Sequence, residues 1–259
     1  MTPAAEAIDA RDLPGVAAAI VPHAPLLVAE LCPAGFERAT ETVREAVATL
    51  PWRDVELVVL LSPHGACSGV FEHVRGSLSG FGVPGVEGDW PTPRGLAATL
   101  AADWGLPVLD HPIDHGLLVP LMLGAAAGRP VVAASVAEVT GRGGGLEPAL
   151  GDARRLAPCI SRLGDRVGFV ASVNTSAALT PRAPFGEQPP ALEVEEQVLD
   201  ALRTDVGRLD ALASPLFELG RSCGAAPLAC LAGLRRGSRA RLRAYERPAG
   251  VGYPVAFVD

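Results

Sequence analysis

Two periods of apolar residues alternate along this chain. Short continuous apolar runs occupy 16–21, 55–61, 130–135, 167–173 and 253–258, and each reads as a strand buried on both faces. Residues 107–109 add a shorter strand. Between the runs the spacing becomes helical. Phe36, Ala39, Val43, Val47 and Leu50 mark a helix over 34–50. A second helix is predicted from Thr92, with Thr92 as its cap and Pro93 in its first turn, to a stop at Gly105. An apolar helix follows near 116–127, then a helix over 147–163 broken at Pro158, then helices near 190–206 and 224–236. The Gly- and Pro-rich stretch 72–92 predicts an irregular excursion carrying an edge hairpin, and Gly143, Gly144 and Gly145 predict a flexible loop.

Strands alternating with helices imply one α/β domain with a central, mostly parallel sheet flanked by helices. It is predicted over 15–259, behind a loose leader at 1–14. No linker or internal repeat divides it.

Composition narrows the chemistry. The 259 residues are 49% hydrophobic and 20% charged, enough apolar material for a large core. Net charge is −7 and the basic residues are scattered, so no nucleic-acid footprint is expected. Every one of the 22 basic residues is arginine, which excludes lysine Schiff bases and a P-loop lysine. The five cysteines form no CxxC pair, which points to a reducing compartment rather than a disulfide framework. The N-terminus lacks a basic signal region and the apolar stretch near 116–127 is too short to span a bilayer, so a cytoplasmic protein with no membrane segment is expected.

Candidate chemistry centres on histidine. His23 and His64 share one context: an apolar strand, a proline, then the histidine. At strand ends of an open parallel sheet such residues face the ligand crevice, and two of them could converge on one metal. A strand-end loop residue contributes little to a core, so His23→Ala is expected to spare the fold. His115 follows Asp114, which could orient its ring or cap the helix, and precedes Gly116, which permits close approach. His111 is a weaker candidate, and His73 reads as a surface residue. Asp114, Glu218 and Glu246 are possible carboxylate ligands, none in a matching context.

The segments VPHAP (21–25), LLSPHG (60–65), DHGLLVPL (114–121) and YERPAGVGYPVAF (245–257) resemble the LigB-like superfamily of class III extradiol ring-cleavage dioxygenases, which includes the MEMO-like proteins. The resemblance runs in order over 16–258. It implies a single α/β domain, with His23 and His64 as metal ligands and His115 as an active-site histidine. It implies Fe(II), a small aromatic substrate, and a homo-oligomer or a second subunit.

Two departures change that expectation. Relatives carry a segment like SGDLSH, whose last histidine acts as acid and base; here Ala177 stands in its place and Asn174 in place of the aspartate. Many relatives have Glu-Cys-Gly, whose glutamate completes the iron site; here it is Ser222-Cys223-Gly224. MEMO-like proteins use the cysteine of such a segment as a ligand, which makes Cys223 the expected third ligand and brings Zn or Cu into range. Asp114 and Asn174 are expected to line the substrate pocket. Two readings follow: a diverged metal-dependent oxygenase using His115 for proton transfer, or a non-catalytic relative using the same pocket for a ligand, metal or protein partner.

Overall fold

The computed structural model describes residues 16–138 and 145–258. The leader expected at 1–14, with Gly143 and Gly144 of the expected loop, lies outside the described residues. In chain order the elements are β1 (Ala17–Val21), α1 (Glu37–Ala48), β2 (Leu57–Ser62), β3 (Gly69–Phe71), β4 (Val74–Ser77), β5 (Glu87–Trp90), α2 (Leu96–Trp104), β6 (Val108–Leu109), α3 (His115–Met122), β7 (Val131–Ser135), α4 (Leu146–Ser161), β8 (Val167–Ser172), α5 (Pro189–Thr204), α6 (Leu209–Glu218), α7 (Ala225–Leu234), β9 (Arg241–Glu246) and β10 (Tyr253–Val258).

Eight strands form one sheet in the order β6-β3-β7-β2-β8-β1-β10-β9. Its middle, β7-β2-β8-β1, is parallel throughout; antiparallel pairs join β3 to β7 and β10 to β1 and β9. The architecture is therefore one α/β domain with a mostly parallel sheet between helices.

The apolar runs explain the layering. Along β2, Val59 and Leu61 enter one core while Val58 and Leu60 enter the other. Along β1, Ala18 and Ile20 part from Ala19 and Val21 in the same way. Alternation within a run apolar at every position requires cover on both faces. Residues of α2 and α4 to α7 fill the first core, and α1 and α3 fill the second. Helix α7, AAPLACLAGL, is apolar around its circumference and accordingly buried. No helix among the described residues is long and apolar enough to cross a membrane.

Several expectations need correction. Helix α2 starts at Leu96, not Thr92, because Gly95 takes a left-handed conformation (φ +77°) that redirects the chain into it. Helix α4 runs unbroken past Pro158, whose carbonyl still accepts from the Arg162 N–H at 3.2 Å. The expected hairpin exists as β4 and β5, but it forms its own two-stranded sheet instead of extending the main one. Strands β3 and β9 and helix α6 were not predicted.

Candidate metal centre

The parallel strands deliver the site. Val21 at the end of β1 is level with Ser172 at the end of β8, and Ser62 at the end of β2 is level with Ser135 at the end of β7. The residues that follow, Pro22-His23, Pro63-His64 and Val173-Asn174, therefore leave the sheet side by side at its carboxyl edge, where open α/β sheets bind ligands. A bridge between Asn174 and Cys223 draws in the turn that precedes α7. His23 Nε2 then lies 3.2 Å from His64 Nε2 and 3.3 Å from Cys223 Sγ. The donor atoms of these three residues all fall within 4.8 Å of one another.

The surroundings fix the donor atoms. Ser172 Oγ donates to the Gly116 carbonyl, so toward His23 Nδ1, 2.9 Å away, it accepts. The His23 proton is therefore on Nδ1, and Nε2 presents its lone pair to the cluster. The His64 backbone N–H donates to Ser62 Oγ at 3.0 Å, which locks the turn that carries the ring. Asn174 braces two of the three candidates, accepting from the His23 N–H at 3.1 Å and donating to Cys223 Sγ at 3.9 Å. Asn174 was expected on the pocket wall; both ends of its buried amide are engaged in this brace.

The donor set fits a transition-metal ion. Tetrahedral coordination with metal–nitrogen distances of about 2.05 Å and a metal–sulfur distance of about 2.3 Å separates N from N by about 3.3 Å and N from S by about 3.6 Å. The observed 3.2 and 3.3 Å are close to those edges. Burial, with His64 and His115 nearby, holds His23 well below the usual histidine range. Burial and then His115 bring His64 down to about 4. Both rings are thus neutral at physiological pH, as ligands must be. Burial, then the charge of Glu138, pushes the Cys223 thiol up to about 12.

His23 itself departs from the expectation of a dispensable loop residue. Its side chain is 0% exposed and hydrogen-bonded, so truncation to alanine would open a cavity and unsettle the strand end. His64 is only partly buried.

His115 stands beside the cluster without joining it. Its ring centroid is 4.5 Å from that of His64 and 5.8 Å from that of His23. Burial lowers its pKa, against the pull of Asp114. Asp114 caps α3, its Oδ1 accepting from the Gly116 N–H at 2.6 Å and from Ser62 Oγ at 3.2 Å. Its Oδ2 is buried and finds no hydrogen-bond partner among the described residues.

Gly116 explains why this corner can close. A Cβ there would collide with Ser62 Oγ and lie 2.9 Å from His64 Cδ2. Gly116→Ala is expected to push the His64 ring out of register, weakening metal binding while costing about 1–3 kcal/mol of stability. Thermal unfolding measured beside a metal titration checks both effects.

Other candidates lie apart. His111 is exposed against Phe71, and His73 is exposed beside Glu72 and Asp110. Glu218 and Glu246 do not belong to the cluster. Ser222 Oγ donates to the Asn174 carbonyl at 2.7 Å and is spent there. Ala177 contributes a methyl group to the core and its N–H to the Gly220 carbonyl at 2.7 Å.

Two buried glutamates went unread in the sequence. Glu138, 1% exposed, accepts from the N–H groups of Gly224 (2.9 Å), Ala225 (3.2 Å) and Ala226 (2.7 Å), holding the start of α7 beside Cys223. Glu195 accepts from Thr175 Oγ1 (2.6 Å), Ser176 N–H (2.9 Å) and Tyr245 OH (2.7 Å), fixing the loop after Asn174. Tyr253 is also close by; burial and then Cys223 hold its phenol above the usual range.

A family model described as the catalytic LigB subunit of aromatic ring-opening dioxygenase matches residues 17–256. The chain belongs to the LigB family. Among solved structures, the LigB-family fold seen here is similar to a crystal structure of the uncharacterized protein JW3007 from Escherichia coli K12. The TM-score is 0.58 at 18% identity, covering 94% of this chain and 100% of that one. That likeness concerns the fold. No curated protein matches the chain.

Proposed function

We propose that this LigB-family protein binds one first-row transition-metal ion through His23 Nε2, His64 Nε2 and Cys223 Sγ, and serves oxidative chemistry on a small aromatic molecule. The observation that carries the reading is the convergence of three donors with the His23 tautomer already set by Ser172. Fe(II) is the first candidate by family, and the thiolate brings Zn or Cu within range. A bound ion would supply Lewis acidity and positions for substrate oxygen atoms. In this reading His115, neutral and beside His64, would accept a proton from a substrate hydroxyl at a ring nitrogen. We place this activity in the cytoplasm, where reducing conditions preserve a thiolate ligand.

A second reading, a non-catalytic binding protein, draws on Ala177 and Ser222, neither of which can move a proton or ligate where it stands. Anaerobic reconstitution with Fe(II), metal content by mass spectrometry, and oxygen uptake with catechols separate the two. Stoichiometric metal with His115-dependent oxygen uptake supports the enzyme. Stoichiometric metal without uptake supports a metal-holding binding protein; no retained metal overturns the enzyme and leaves a binding protein for another ligand or a protein partner.

Proton release offers an independent check. At pH 7 both imidazoles are already deprotonated, whereas Cys223 must lose its proton on coordination. About one proton should therefore appear per ion bound, and apparent affinity should rise about tenfold per pH unit between pH 6 and 9. Calorimetric titration in buffers of different ionisation enthalpy measures the release. A value of zero would remove Cys223 from the ligand set.

A further inference from the structure

We infer that Phe81 is a specificity-determining residue that supplies the aromatic face of the substrate pocket; this rests on the functional reading above. Phe81 is a large hydrophobic side chain left 46% exposed, at the tip of the hairpin formed by β4 and β5. The rest of its surface is not idle. Its ring meets His115 edge to face, with centroids 5.4 Å apart and planes at 69°. His115 meets His64 at 4.5 Å, and His64 Nε2 is one of the clustered donors. Phe81 thus begins a run of ring contacts, Phe81 to His115 to His64, that leads to the donor nitrogens.

The hairpin presents this ring deliberately. Leu78 is fully buried and its N–H donates to the Val86 carbonyl at 2.8 Å, anchoring the base of the tip. The Phe81 N–H turns back to the Leu78 carbonyl at 2.8 Å. Gly80 and Gly82, on either side, have open space where a Cβ would be, so neither neighbour crowds the approach to Phe81. Part of the Phe81 ring is open to solvent. A planar ligand whose oxygen atoms reach the donor cluster would pass His115 and cover that ring. Aromatic pairs gain about 0.5–1.5 kcal/mol beyond area burial, so the contact selects a ring over an equally good non-aromatic chelator.

The test uses full-length protein loaded with Fe(II) anaerobically, with metal content measured first. 4-Nitrocatechol, an aromatic chelator, is titrated by absorption; acetohydroxamic acid, a chelator without a ring, is titrated in competition. Phe81→Ala should weaken 4-nitrocatechol binding roughly three- to tenfold, leave acetohydroxamic acid unchanged, and leave metal stoichiometry unchanged. Phe81→Tyr should restore the aromatic preference. Equal effects on both chelators, or none on either, overturn the inference while the metal reading stands. A wild-type protein that retains no metal overturns that reading and the inference together.

Discussion

His64→Ala is expected to weaken metal binding by at least about 100-fold with little change in fold. Even partners that merely orient a metal ligand are worth about 10- to 100-fold in affinity, and His64 would supply a donor directly. The position also suits the test. His64 is partly buried, whereas His23 is enclosed and tied to Ser172, so a His23 truncation mixes metal loss with structural damage. Cys223→Ser tests the other side of the cluster by exchanging a soft thiolate for a hard hydroxyl of similar size. His111→Ala is the control, since that ring is exposed and bonds only the adjacent Pro112 carbonyl, at 3.0 Å. Mass spectrometry for metal and circular dichroism for fold should show His64→Ala folded and depleted, and His111→Ala indistinguishable from the parent. Retention of metal by folded His64→Ala would remove the cluster as the metal centre.

Much of this site was legible because parallel-sheet geometry converts a repeated sequence context into spatial adjacency. Strand, proline, histidine occurs at the ends of β1 and β2, and both strands flank β8, so the repeat becomes two imidazoles whose Nε2 atoms lie 3.2 Å apart. Cys223 carried no such local signal; it came from the resemblance, and the bridge to Asn174 brings it to the other donors. What escaped were the parts whose partners lie far along the chain. Glu138 follows an apolar strand like any solvated acid, and only the arrival of α7, 86 residues later, makes it a buried cap. Glu195 sits on α5 as one of several glutamates, and its partners come from two other segments. In the fold, β9 was missed because it is an edge strand with exposed arginines at 241 and 243, so no apolar run marks it. Helix α6 keeps Leu209, Ala213 and Leu216 at helical spacing, but Pro215 obscures the pattern.

Glu138 carries the other large expectation, and its sign depends on pH. Three backbone N–H groups converge on its carboxylate, which favours the charged form, but complete burial outweighs them and brings its pKa up to about 7. An unfolded glutamate titrates near its ordinary value of 4.5, so between about pH 4.5 and 7 the native state binds more protons than the unfolded chain. Stability from this group is therefore full below that window and falls as pH rises through it, by about 3 kcal/mol in all. Glu138→Ala leaves three buried N–H groups without an acceptor and should cost about 3 kcal/mol or more at pH 5. Glu138→Gln keeps the shape and an acceptor but cannot ionise. Its deficit relative to the parent, measured by urea unfolding, should shrink between pH 5 and pH 8. Because the Glu138 charge is one of the two causes that raise the Cys223 thiol, the same variant should bind metal more readily at pH 8, where the parent carboxylate is ionised. A deficit that stays constant with pH would mean that Glu138 is ionised throughout and that its three donors, not its burial, set its state.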